Sequence, residues 1–275
     1  YGEFHPVMES TAAHFFENNW IDASVKPGKT SGAFSHPATP AVHPYILMNY
    51  TGNIRDVTTL AHELGHGVHQ YLARKQGVLL AQPPLTMAET ASVFGEMLVF
   101  EQLMKTEETT LSQLFLLTSK IDDTLATVFR QVAMSRFEAA IHTARRTEGE
   151  LSIDRFSTLW METQKEMFQE SITFGEHYRI WWSYIPHFIH TPGYVYAYAF
   201  GELLVLALYA RYKEDRQSFP EKYLRLLQAG GSDWPRALLE ELEIDLKDAG
   251  FWNRGLDEIE VLITQAEELA KMIKS

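Results

Sequence analysis

One pentad constrains this chain more than any other feature: His62-Glu63-Leu64-Gly65-His66. Around it Val57, Leu60, Leu64 and Val68 recur at helical spacing, which predicts a helix from about Asn53–Asp56 to about Arg74. Positions i and i+4 of a helix lie on one face, one turn apart. His62 and His66 can therefore present two imidazoles to one ion. Glu63 stands a step around the helix, where it reaches a metal-bound water without ligating the metal. The 275 residues include no cysteine, so any metal must be held by imidazole and carboxylate, and no disulfide framework is available.

A catalytic zinc site takes three protein ligands and keeps a fourth position open. The best candidate for the third is Glu89, in Met87-Ala88-Glu89-Thr90-Ala91-Ser92, at the start of a second helix after the Pro83-Pro84 loop. Thr86 reads as the N-cap of that helix, with Glu89 three residues on as in a capping box. Glu96 and Glu101 are rivals for the ligand role. Glu96, two turns beyond Glu89, is also placed to hydrogen-bond a ligand histidine. His69, one turn past His66, reads as a packed or hydrogen-bonded structural ring.

Most of the remaining sequence has helical periodicity. A first helix carries Phe15 and Phe16 and ends near Asn19. Long helices are expected over Leu111–Arg146 and Ile153–Gln169. The pattern breaks between Pro186 and Gly193, then resumes as helix. A loop over Gln228–Asp233 precedes a helix from Pro235, and a last helix covers Leu256–Ile273. Gly28, Gly32, Pro37, Pro40 and Pro44 punctuate residues 27–51, with strand-like runs at Gly32–Ser35 and Tyr45–Tyr50. The expected fold is mainly α, multi-helical, with one small β-sheet near residues 28–50. No stretch reads as an interdomain linker, so residues 1–275 are expected to form a single catalytic domain.

Acidic residues outnumber basic ones 36 to 24, for a formal charge of -12, which does not suit a nucleic-acid binder. The most apolar stretch, Tyr194–Ala210, is short for a membrane span and contains Glu202, so no membrane partner is expected. Absence of cysteine fits a cytoplasmic protein. The chain opens Tyr1-Gly2-Glu3-Phe4, with neither Met nor a leader, and is expected to be a piece of something longer.

These segments together resemble the oligoendopeptidase F and thimet oligopeptidase family of zinc peptidases. Gly28–Phe34 is similar to the family's strand ahead of the zinc helix, Val57–Gln70 to the zinc helix, and Met87–Glu96 to the helix bearing the third ligand. Pro186-His187-Phe188 and Tyr194-Val195-Tyr196-Ala197-Tyr198 are similar to its substrate-side His and Tyr segment. Ala229-Gly230-Gly231-Ser232 and Phe251-Trp252 resemble the tail of the oligoendopeptidase F branch. The resemblance implies a zincin-type helical fold with a deep channel, and a catalytic part that lacks the family's amino-terminal helical half. That missing half of the same protein is an expected partner.

The function so implied is a zinc-dependent endopeptidase acting on short unstructured peptides through a metal-activated water. One zinc ion sits on His62, His66 and Glu89, with Glu63 as general base. His187 and Tyr198 are the expected oxyanion donors. Tyr194 is second to Tyr198, because Tyr198 matches best when counted back from Gly201-Glu202. Tyr196 is expected in an aromatic core stripe. The rival readings are a zinc carboxypeptidase or dipeptidase on a similar helical channel, and a zinc-stabilised fragment without turnover.

Overall fold

The computed structural model describes residues 1–274. Helix α1 spans Pro6–Glu17. Pro6 sits where its missing N–H costs nothing, and the His5 ring accepts the Val7 N–H at 3.1 Å as a cap. Three short strands follow: β1 (Ile21–Asp22), β2 (Phe34–His36) and β3 (Tyr45–Leu47). Their order is β1-β3-β2, with β1 parallel and β2 antiparallel to β3. This is the sheet expected near residues 28–50, extended by β1, whose two residues are too few to show a period. Lys29 lashes it together. Its ammonium donates to the carbonyls of Asp22, Ser24 and Met48 at 3.0, 3.0 and 2.6 Å.

Helix α2 runs Ile54–Ala73. Asn53 caps it by accepting the Asp56 N–H at 3.0 Å, and the Asp56 carboxylate returns the bond to Asn53 N–H at 3.4 Å. Helix α3 spans Leu85–Thr106 and is capped at Pro84, two residues before the expected Thr86 cap. The reason lies in the proline pair. A residue before proline is pushed out of helical geometry, so Pro83 stays outside, Pro84 takes the extended N-cap position, and Leu85 and Thr86 are already helical.

Helices α4 (Thr110–Glu148) and α5 (Ile153–Phe168) match the two long expected ones. A 3-10 run, Glu176–Tyr184, precedes the break expected between Pro186 and Gly193, and the break itself contains the one-turn helix α6, His187–His190. The remaining helices are α7 (Tyr196–Glu214), α8 (Phe219–Ala229), α9 (Pro235–Glu240) and α10 (Ala249–Lys274). Helix α10 starts seven residues earlier than its apolar pattern indicates. Among the described residues no helix is long and apolar enough to cross a membrane.

The chain divides into two compact units: residues 1–119 with those from 201 on, and residues 120–200. In the first, α2 packs most extensively against α3. Gly65 makes this approach possible. A Cβ there would lie 2.3 Å from the Ala91 carbonyl oxygen and 2.6 Å from Ser92 Cα. Phe94 of α3 stacks on Tyr223 of α8 and meets Phe4 edge-on, at 4.4 and 5.1 Å between ring centres. Behind α8, the Gly230-Gly231 turn lies against the loop joining α2 to α3. The Gly231 N–H donates to the Leu80 carbonyl at 2.7 Å, and a Cβ on Gly231 would meet the Gln82 oxygen at 2.3 Å.

Glu101 supplies a pH-dependent contact in this unit. Burial disfavours its charge. The Tyr209 hydroxyl, Lys105 and Arg216 outweigh that and hold its pKa down to about 2. A depressed carboxylate contributes stability above its unfolded pKa and loses it as pH falls toward the folded value. Glu101→Gln is therefore expected to destabilise the protein by about 1–2 kcal/mol at neutral pH, a figure discounted for partial solvent access. The gap to wild type should close between about pH 4.5 and pH 2, as read from melting temperatures across that range.

The second unit is built on Trp160 and Phe137, packed edge-to-face at 5.3 Å. The Trp160 indole N–H donates to the Tyr178 carbonyl at 3.1 Å, and the Tyr178 hydroxyl to Gln164 at 2.8 Å. Buried aromatic polar tips thus find partners, as they must.

Candidate metal centre

Helix α2 presents His62 and His66 on one face, with ring centres 4.9 Å apart. Because Gly65 lets α3 approach, Glu89 on its second turn reaches both. One oxygen, Glu89 Oε2, lies 3.3 Å from His62 Nε2 and 3.4 Å from His66 Nε2. Donor atoms bound tetrahedrally to zinc at about 2.0–2.1 Å stand about 3.3–3.4 Å from one another. Glu89 thus lies at the spacing such an ion requires, and all three donor atoms fall within 4.8 Å. Two imidazoles and a carboxylate also suit zinc chemically.

The supporting contacts point the same way. Glu96 Oε2 lies 3.4 Å from His62 Nδ1, which orients the ring so that Nε2 faces Glu89. The buried Ser92 hydroxyl donates to Glu89 Oε2 at 2.7 Å. Burial opposes charge on His62, and the carboxylates of Glu89 and Glu96 more than offset it, pushing the ring pKa up to about 10. Burial likewise opposes charge on Glu89, and hydrogen bonds from both histidines hold it well below the usual carboxylate range. Gly201 of α7 completes the packing, since a Cβ there would come within 3.2 Å of Glu89 Cβ.

Glu63 is only 7% exposed. Burial pushes its pKa up, against the opposing charges of His62 and His66 and a hydrogen bond from the Ser35 backbone of β2. The strand is fastened to the same helix, because Ser35 Oγ donates to Gln70 Oε1 at 2.9 Å. His69 is buried behind the centre. Desolvation, helped by His66, brings its pKa down to about 3, so it is neutral, as a packed ring should be.

In the second unit, His187 opens α6 and its Nε2 lies 3.2 Å from the Tyr198 hydroxyl. Tyr194 stacks near His187 with ring centres 5.8 Å apart. These three residues therefore cluster. Tyr196 departs from its expected core position and is 50% exposed. Helix α7 has begun by Tyr196, so successive tyrosines fan out by about 100° per residue instead of sharing a face. Glu101, the other rival ligand, is engaged with Tyr209 and Arg216 away from the centre.

Sequence reading had no means of assigning Ser92 or the Ser35 backbone, because each acts only once α3 and β2 are docked on α2. Ser92→Ala is expected to weaken metal affinity about 10–100-fold by freeing the Glu89 carboxylate. Metal titration would show it, with the melting temperature of the apo form as the control for folding.

The model of peptidase family M3 matches residues 2–258. The chain belongs to peptidase family M3. This M3 chain is 31% identical over 259 residues to oligopeptidase PepF of Bacillus subtilis (strain 168), covering 94% of the chain and 38% of that protein. It is 34% identical over 261 residues to the oligoendopeptidase F homolog of Borreliella burgdorferi, covering 94% and 43%. A crystal structure from Chlamydophila abortus, described as a candidate peptidase, superposes with a TM-score of 0.87 at 32% identity, over 97% of this chain and 45% of that one. PZ peptidase A, at 20% identity and a TM-score of 0.77, shares the fold, over 96% of this chain and 47% of that one. The M3 chain thus spans less than half the length of the curated relatives it matches.

Proposed function

We propose that this chain carries the catalytic centre of a zinc endopeptidase that cuts short, unstructured peptides in the cytoplasm. The observation carrying this reading is the single Glu89 oxygen spaced 3.3 and 3.4 Å from two histidine nitrogens, beside a buried Glu63 that is not in the ligand set. A purely structural site would fill its fourth position and would need no base. On this reading residues 1–275 form one catalytic domain, and the further length present in the relatives supplies an amino-terminal half.

His62, His66 and Glu89 would hold the zinc, which when bound supplies a Lewis acid for activating water and polarising the scissile carbonyl. Glu63 takes the proton of the attacking water and hands it to the departing amine. Its raised pKa brings it closer to the working pH, which favours both transfers. His187 and Tyr198 are given the role of donors to the negative oxygen that develops on the carbonyl, with Tyr194 as the alternate tyrosine. Edge strand β2 can take an extended peptide as a further strand, so that backbone hydrogen bonds hold it with little demand on sequence.

The test is a set of unstructured peptides, each with free ends and with both ends blocked, incubated with zinc-loaded protein and with protein treated with chelator, products being read by mass spectrometry. Internal cuts that disappear with chelator and return with zinc are expected. Loss of cutting once the ends are blocked would instead indicate an exopeptidase. No cut from zinc-loaded protein of full length would overturn the peptidase reading.

A further inference from the structure

A cavity of about 380 Å³ opens beside His66 in the first unit and runs along the second half of α2. That is a size that takes part of a small ligand. Its far wall is proline-rich, with Pro37, Pro40 and Pro44 from the β2–β3 connection and Pro83 ahead of α3. The chain carries 36 acidic residues, yet among the described residues none lines this cavity. Arg74 is the only Lys, Arg, Asp or Glu among the described residues that does. Its guanidinium lies 3.7 Å from the centre of the Tyr71 ring, which fixes the plane of the group and leaves its edge donors available. Among the described residues Arg74 makes no ion pair. A partly buried, oriented and unpaired arginine in an acid-free pocket is complementary to one kind of group, a carboxylate.

We propose that this cavity is a specificity pocket for a carboxylate of the bound peptide, held by Arg74. The assignment rests on reading the centre as that of a peptidase. Arg74 caps the C-terminal end of α2, eight residues beyond His66 and still in helical geometry, which puts it about 12 Å along the helix axis at 1.5 Å per residue. Its side chain leans back toward the helix start, which shortens that span. An extended peptide advances about 3.3 Å per residue. The carboxylate therefore stands two to four residues from the bond that is cut. It can be an Asp or Glu side chain, or the carboxyl end of the peptide.

The test uses peptides built on one cleavable sequence. One arm compares Gln with Glu at each position within four residues of the cut. The other compares a terminal carboxamide with the free acid, in peptides that end within that span. Each pair is measured with full-length wild type, Arg74→Gln, Arg74→Lys and Arg74→Glu for kcat and KM. The dissociation constant of each peptide is measured in the Glu63→Gln background. Wild type is expected to favour the acidic member about tenfold, in KM and Kd rather than kcat, as befits one charge-assisted pair. The ratio should fall to near one in Arg74→Gln, recover in Arg74→Lys and invert in Arg74→Glu. A merely structural arginine would not produce the inversion. The arm that responds identifies the source of the carboxylate. Wild type without a preference, or a preference that survives Arg74→Gln, overturns the pocket assignment. Absence of turnover with every peptide would instead overturn the peptidase reading, while the Kd ratios still score the pocket.

Discussion

Glu63→Gln protein is expected to fold, to bind zinc as wild type does, and to lose about 10²–10⁴-fold in kcat/KM. The amide matches the carboxylate in size and cannot take a proton. No other acid stands one residue from the first ligand, so nothing substitutes for it. Stability should move the other way. Burial raises the Glu63 pKa in the folded state, and a raised carboxylate stabilises the fold only at low pH, losing that contribution as pH rises through its folded value. At neutral pH the buried charge is a cost, so the variant should melt no lower than wild type, with the gap opening as pH rises through the carboxylate range. Activity within tenfold of wild type would remove Glu63 from the base role. Lost zinc would mean that the variant tests binding instead of proton transfer.

Gly65→Ala should do most damage to the centre without touching a ligand. Alanine gains about 1 kcal/mol over glycine in a helix. Here the added methyl would meet the Ala91 carbonyl oxygen at 2.3 Å and Ser92 Cα at 2.6 Å. Both are α3 backbone, which cannot yield as a flexible side chain would. Overpacking of this kind costs about 1–3 kcal/mol, or more where backbone must move, so the clash exceeds the propensity gain. The shift falls two and three residues from Glu89. Zinc affinity should drop at least tenfold together with the melting temperature, as measured by metal titration and thermal unfolding of the same sample. A variant as stable as wild type, with unchanged affinity, would show that α2 and α3 tolerate a wider separation than their contact indicates.

What could be read from sequence follows how local each cause is. Helix α2 was legible because its period, its Asn53–Asp56 cap and its histidine pair all lie within twenty or so residues. Glu89 could be placed near the histidines because a loop and a helix start bring it back across. The cap of that helix falls two residues before the expected Thr86, because the Pro83-Pro84 pair determines the turn although Thr86 offers a good capping side chain. β1 went unseen because Ile21 and Asp22 become a strand only by pairing with β3. Helix α6 was hidden by the two prolines and the glycine around it. Tyr196 is expected in the core on its aromatic character, but it opens α7, and which face of that helix is covered depends on packing that no local pattern records. The bonds that aim Glu89 and Glu63 come from Ser92 and from β2, and no local pattern records such meetings.

The Gly230-Gly231 turn lies far downstream of the metal-binding motif, yet it holds the Leu80–Gln82 backbone that borders the cavity beside His66. The outline of that cavity is therefore written in a part of the chain that contributes nothing to the metal centre. Lengthening or stiffening this distant turn is expected to reshape the cavity while His62, Glu63, His66 and Glu89 stay where they are. If the cavity holds peptide as proposed, the turn that helps choose the substrate and the residues that hold the metal sit on separate stretches of chain and can be changed separately.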